Sequence, residues 1–188
     1  MRSSATTRPR NRRALISAVL AGGLLSLLVW VPVRAQSEDT LKSQFILNFA
    51  KFTTWPSAAF SSPSAPLVVG FVGAPELADV FDKLATGKNI NGRELKAKKF
   101  DSAAALDESC QMVVAAPGSL GRAVAAKVKG KHVLLVGQDS GFLDAGGIIN
   151  LIVEGGKISF EINLAPARAA SLELDPKLKT LAKSVKGA

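Results

Sequence analysis

The sequence predicts a single α/β domain with a largely parallel central sheet flanked by helices, an N-terminal amphipathic helix and a C-terminal β-hairpin. Three observations predict it: short, wholly apolar runs alternate with helical periodicity, prolines and glycines punctuate the junctions, and two strand-like segments flank Gly155-Gly156. A chain of 188 residues suits one folded unit.

The first segment reads as an address. Arg2, Arg8, Arg10, Arg12 and Arg13 precede an uncharged stretch at 14–33, and Val33-Arg34-Ala35 closes it. A basic start, an apolar run and a small-x-small end describe a secretory signal peptide over residues 1–35, cut before Gln36, so the mature chain is expected in the periplasm. The run is just long enough for an uncleaved membrane anchor, but Gly22, Gly23 and Pro32 interrupt it. Arg12-Arg13 weakly resembles a twin-arginine signal; with no cofactor motif, ordinary export is preferred. The leader holds six of the 24 Lys and Arg and none of the 15 Asp and Glu, so the formal charge of +9 falls to +3 beyond it. The basic balance therefore belongs to the leader, and Lys96 to Lys99 lack the interleaved aromatics of a nucleic-acid face.

Ser37 can cap a helix over 39–52, with acids in its first turn and Leu41, Phe45, Phe49 and Phe52 at spacings of four, four and three. Trp55-Pro56 ends it, and the Ser/Pro-rich stretch at 61–66 is a loop. Residues 67–72 form a buried strand, and Pro75 opens a helix with Leu77, Val80, Phe81 and Leu84 on one face. The unit recurs as a strand at 111–115, a Pro117-Gly118-Ser119 turn and a helix over 120–128. A third strand at 132–136 leads through residues 137–141 to a short turn. Asn91-Gly92 marks a turn before a strand at 94–100, whose Lys96, Lys98 and Lys99 suit a sheet edge.

The hairpin register follows by arithmetic. Pairing Glu154 with Lys157 across Gly155-Gly156 sets Val153 beside Ile158, Leu151 beside Phe160 and Ile149 beside Ile162 on one apolar face. Asn150 then opposes Glu161 on the other face, with Asn163 two residues beyond. Pro166 and Pro176 can each open a helix, and Leu174, Leu178, Leu181 and Val185 supply an apolar stripe.

Catalytic signatures are sparse. Gly70-x-x-Gly73 and Gly118-x-x-Gly121 fall short of a dinucleotide fingerprint. There is no G-x-S-x-G, and His132 opens an apolar strand, where it reads as structural. Glu154 and Glu161 sit on strands facing solvent or a partner, not as a glycosidase dyad. One cysteine and one histidine exclude an internal disulfide and a multi-Cys metal site, so no metal or cofactor is expected. Cys110 reads as a small core residue, with a free thiol or intermolecular bridge as the alternative.

Two segments carry a resemblance: Asn48-Phe49-Ala50-Lys51-Phe52-Thr53-Thr54-Trp55-Pro56, and Gly147-Ile148-Ile149-Asn150-Leu151 with Phe160-Glu161-Ile162-Asn163-Leu164-Ala165. They resemble the YfiR family of exported bacterial proteins, and the likeness extends over nearly the whole mature chain, including Asn91-Gly92-Arg93 and Gly141-Phe142. The resemblance implies a periplasmic α/β protein without catalysis that represses an inner-membrane diguanylate cyclase by holding its periplasmic sensor domain inactive. The disulfides of the best-understood member have no counterpart here, because Cys110 stands alone.

A repressor of this kind needs a surface that favours one state of its sensor; no nucleophile is required. The candidate contact residues are Lys51, Trp55, Asn150, Glu161, Asn163 and Arg168. Trp55 has a core reading beside the contact one; Asn150 can satisfy Glu161, and Arg168 can pair with Glu161. An alternative is a small-molecule receptor using the crevice at the strand ends, where Gly73, Ser119, Asp139 and Ser140 would converge. A hydrolase would need His132 beside a serine in a cleft. The expected partner is an inner-membrane sensor protein, with no nucleic acid and with a homodimer left open.

Overall fold

The computed structural model describes residues 37–118 and 120–187. The signal peptide and cut site that the sequence predicts lie outside the described residues, as does Ser119. The elements run α1 (Glu38–Lys51), β1 (Thr53–Thr54), a 3-10 turn (Ser57–Ala59), β2 (Leu67–Val72), α2 (Pro75–Ala85), β3 (Asn89–Ile90), β4 (Arg93–Phe100) and β5 (Met112–Ala115). They continue with α3 (Leu120–Val128), β6 (Leu134–Gly137), β7 (Ile149–Glu154), β8 (Lys157–Asn163), α4 (Leu164–Ala169), β9 (Glu173–Leu174), α5 (Pro176–Leu181) and β10 (Ser184–Lys186).

Eight strands form one sheet in the order β10-β8-β7-β6-β5-β2-β4-β3. Strands β4, β2, β5, β6 and β7 are parallel, as the apolar runs predict. β8 returns antiparallel to β7, and β10 then lies parallel to β8. The crossover through α2 moves one way along the sheet and that through α3 the other, and right-handed crossovers therefore place the two helices on opposite faces. Side chains alternate accordingly: Phe71 joins the core under α1 and α2, and Val72 joins the core under α3.

Ser37 caps α1, its Oγ accepting from the Thr40 N–H at 3.2 Å. The helix is less two-faced than its spacing predicts. Ile46, Phe49 and Ala50 are buried, while Phe45, Leu47 and Phe52 pack against the same core, so apolar contact wraps most of the cylinder. Phe49 meets Phe160 of the hairpin edge-to-face, with centroids 5.0 Å apart, an arrangement the ring quadrupoles favour. β1 and β9 form a separate two-stranded ribbon that pairs Thr53 with Leu174.

The lysine-rich strand lies where its charge predicts. β3 covers only the first two residues of β4, so the remainder of β4 is an edge. Lys99 pairs with Asp79 at 2.6 Å, Lys96 with Glu94 at 3.4 Å, and Lys98 with Asp107. The hairpin keeps the derived register, from Glu154 opposite Lys157 to Ile149 opposite Ile162. Gly155 and Gly156 have φ of 57° and 74°, the left-handed pair that a tight hairpin turn requires.

The C-terminal stripe differs from expectation. Leu174 and Leu178 are buried, but Leu181 is 68% and Val185 38% exposed. α5 stops at Leu181, and Val185 belongs to the edge strand β10. An apolar residue every three or four positions does not continue a helix once neighbouring β8 offers unpaired backbone, here taken by the parallel pairing of Val185 with Ile162.

One aromatic ring organises the side of the sheet that carries α3. Phe142 is 2% exposed and lies on a floor of glycines from three elements. A Cβ would meet the ring at 2.2 Å from Gly147, 2.5 Å from Gly137 and 3.0 Å from Gly121. The first two distances leave no room for a methyl group. Gly147→Ala is expected to destabilise the domain by about 1–3 kcal/mol through overpacking; urea unfolding reads it, and an unchanged midpoint would show that the ring is not held this tightly.

Candidate functional site

An open groove of about 720 Å³ lies between α3, the turn at 144–146 and α4. Val133, Leu135 and Ile148 form its floor, and Ala125, Ala169 and Ala170 line its walls. Small side chains on both walls keep it open. Arg122 and Lys129 stand on its rim, and among the described residues neither forms an ion pair. Lys131, also on the rim, pairs with Glu108 at 2.7 Å. Arg168 lies on α4 between the lining residues Pro166 and Ala169; it is exposed and makes no ion pair with Glu161 or any other described acid.

The polar face of the hairpin is engaged internally. Asn150 is buried, and its Oδ1 accepts from the Asp139 N–H at 3.0 Å rather than bonding to Glu161. Glu161 instead accepts from the Ser184 hydroxyl at 2.9 Å, tying β8 to β10. Asn163 caps α4, accepting from the Ala165 N–H at 3.1 Å, and its amide donates to the Leu143 carbonyl at 3.0 Å. These three side chains hold loops against the sheet. Lys51 ends α1 exposed, its ammonium 5.6 Å from the Phe52 ring centroid.

Trp55 lies in the core, 9% exposed, and its indole N–H donates to the Gln111 carbonyl at 2.9 Å. Gln111, which periodicity places at the start of a strand, precedes β5 and acts as a clamp. Its amide oxygen accepts from the Val68 N–H at 2.9 Å, and its amide nitrogen donates to the Ala59 carbonyl at 2.8 Å. A buried glutamine with both ends satisfied fixes the segment after α1 to β2. The only sequence signal for it is a polar residue heading an apolar run.

The strand-end residues do not share one crevice. Gly73 lines a cavity of about 160 Å³ with Ala116, Gln138, Asp39 and Lys42, at the carboxyl ends of β2, β5 and β6. Asp139 and Ser140 line a different one of about 520 Å³, with Gly118 and Arg122. Both Asp139 carboxylate oxygens accept from the Gly118 N–H at 2.8 Å, so this acid braces the turn before α3. The wall between the two crevices follows from strand alternation: side chains one residue apart point to opposite faces. His132 is held by the Ala170 carbonyl, to which its Nδ1 donates at 2.8 Å. No group of three or more His, Cys, Asp or Glu suited to a metal occurs among the described residues.

A family model of YfiR/HmsC-like proteins matches residues 39–183, which span α1 to the segment before β10. The chain belongs to the YfiR/HmsC-like family. This is a family of periplasmic regulators without catalytic activity. A crystal structure of a conserved domain protein from Vibrio cholerae O1 biovar El Tor is similar to this chain with a TM-score of 0.51 and 15% identity, a likeness of fold. The match covers 80% of this YfiR/HmsC-like chain and 60% of that one. No curated protein matches. None of the described helices is long and apolar enough to cross a membrane.

In this YfiR/HmsC-like chain the lone cysteine is inert by placement. Cys110 is 4% exposed, and burial pushes its thiol up to about 11, with a lesser push the same way from the Asp107 charge and lesser opposition from Ser109 and Lys98. The thiolate is therefore a negligible fraction at neutral pH. A maleimide or aromatic disulfide reagent is expected to leave Cys110 unmodified in the folded protein and to label it fully in denaturant; rapid labelling of the native form would contradict this burial.

Proposed function

We propose that this chain is an exported regulator that docks on the periplasmic sensor domain of an inner-membrane diguanylate cyclase and holds it inactive, lowering cyclic di-GMP. The groove between α3 and α4 carries this reading. Its floor is apolar, its walls are small, and Arg122 and Lys129 stand on its rim without ion-pair partners among the described residues. An acidic, partly apolar segment of the sensor complements such a surface in both shape and charge. The chain's own leader does not, since its charges are six arginines. Repression needs only differential affinity: about 1–3 kcal/mol between two sensor states shifts their ratio 5- to 150-fold.

Ala169 is exposed on the groove wall, so Ala169→Trp fills the groove without touching the core. Expression of the wild-type chain with its leader is expected to lower cellular cyclic di-GMP. Ala169→Trp and the Arg122→Glu, Lys129→Glu double variant are expected to abolish that drop while keeping the wild-type unfolding midpoint. A photo-crosslinker at position 126 should capture an inner-membrane protein bearing a diguanylate cyclase domain. Full repression by both groove variants, or a captured protein without such a domain, would defeat the proposal.

A second reading is a receptor for a small polar molecule, and the crevice containing Gly73 supports it. Lys42, whose side chain is only 12% exposed, lines that crevice while paired with Glu38 at 2.6 Å. A cation sheltered at the carboxyl ends of parallel strands is where an α/β sheet takes ligands. Native mass spectrometry of the purified protein checks it: a small mass that disappears in Lys42→Met supports the receptor, and its absence counts against it.

A further inference from the structure

The edge formed by α5 and β10 has a composition that the proposed docking groove does not use. Leu181 and Val185, at 68% and 38% exposure, are the large apolar side chains exposed among the described residues, and both lie here. From Pro176 to Gly187 the chain carries Lys177, Lys179, Lys183 and Lys186 and no acid. Lys177 and Leu181 are four residues apart on α5 and share a helix face. Lys183 leads into β10 through its N–H bond to the Phe160 carbonyl at 2.8 Å, and Lys183 and Val185, two residues apart, point to the same side. On the opposite side Ser184 bonds Glu161, and Lys186 pairs with Asp144. The free lysines thus flank the exposed apolar pair, while the engaged polar residues turn away from it.

We infer that this edge is a docking surface for an anionic phospholipid bilayer, with Leu181 and Val185 entering the headgroup layer and Lys177 and Lys183 lying against lipid phosphates. Protein partners fit it less well, because interface cores are depleted in lysine and need a larger apolar area than two protruding side chains supply. A second copy would oppose lysine to lysine. A charged lipid surface needs no shaped complement, and lysines near it bind by charge while their stems lie along the apolar boundary. The sheet's other edge has no such character, since Lys96, Lys98 and Lys99 of β4 are each neutralised by an acid. The inference does not depend on the identity of the sensor, because bilayers without protein test it.

The experiment is sedimentation of the purified mature chain, residues 36–188, with vesicles of phosphatidylcholine alone and of phosphatidylcholine with phosphatidylglycerol, at low and high salt. Binding is expected only to the anionic vesicles and is expected to fall as salt rises. Each lysine contact contributes about fivefold to binding, so Lys177→Glu with Lys183→Glu should weaken it by at least about twentyfold. Leu181→Glu should act in the same direction, and its exposure lets the fold stand. Lys83→Glu with Lys88→Glu, both exposed, one in the last turn of α2 and the other just before β3 at the opposite sheet edge, makes the same charge change and should leave most of the binding intact. Absent binding, equal loss in both double variants, or a wild-type dimer by light scattering that Leu181→Glu makes monomeric would each overturn the inference, the last in favour of a self-interface. Retained vesicle binding in a groove variant that fails to repress would separate this surface from the sensor contact.

Discussion

The close seat of Phe142 on Gly121, Gly137 and Gly147 is the constraint on which the candidate site depends. One ring touches the helix α3, the end of β6 and the approach to β7. Residues 138–148 join β6 to β7 without a helix, and a connection of that length holds a shape only if something anchors it. Phe142 supplies the anchor from within, and the Gly147 N–H donates to the Phe142 carbonyl at 3.0 Å to close the turn. The turn then becomes a wall of the groove, and α3, drawn in by the same ring, becomes another. For the proposed docking, which needs only differential affinity, rigidity matters, since each ordering step on binding subtracts from the discrimination it can deliver.

A second tie fixes the other end of the molecule. Gln111 and Trp55 join the segment following α1 to β2 and β5 through three hydrogen bonds. Because both groups are buried, breaking any of these bonds would leave a polar atom without water, which is why the tie resists deformation. α1 is therefore a covering layer of the domain and not a detachable arm, and Lys51 at its end is held in a defined place on the surface.

Much of the fold was legible because two kinds of residue pattern are strict. Side-chain alternation has a period of two, so one turn, Gly155-Gly156, determined every cross-strand pair of the hairpin. Apolar runs bounded by proline and glycine marked β2, α2 and α3 within a residue or two. The candidate contact residues were less legible. Asn150, Glu161 and Asn163 stood out as polar residues on an apolar hairpin, and that same isolation made them the anchors for the turn at 139–146, for β10 and for α4. Arg168 and Lys51 are exposed, as a contact role requires. The groove was invisible to periodicity, since alanines on α3 and α4 look the same whether they pack tightly or leave space. The joining of Gly73 with Asp139 and Ser140 failed because a crevice belongs to one face of a sheet, and loop residues next to a strand end can fall on either.

The ribbon of β1 with β9 couples the two ends of the chain. Thr53 meets Leu174, the Asp175 N–H donates to the Phe52 carbonyl at 2.9 Å, and Leu178 is buried in the same core as Ile46 and Phe49. A polypeptide made from its amino end therefore cannot seal this core until the last few dozen residues have been delivered. Until then the aromatic side of α1 has no cover, so closure of the core is among the last steps by which the molecule takes its shape.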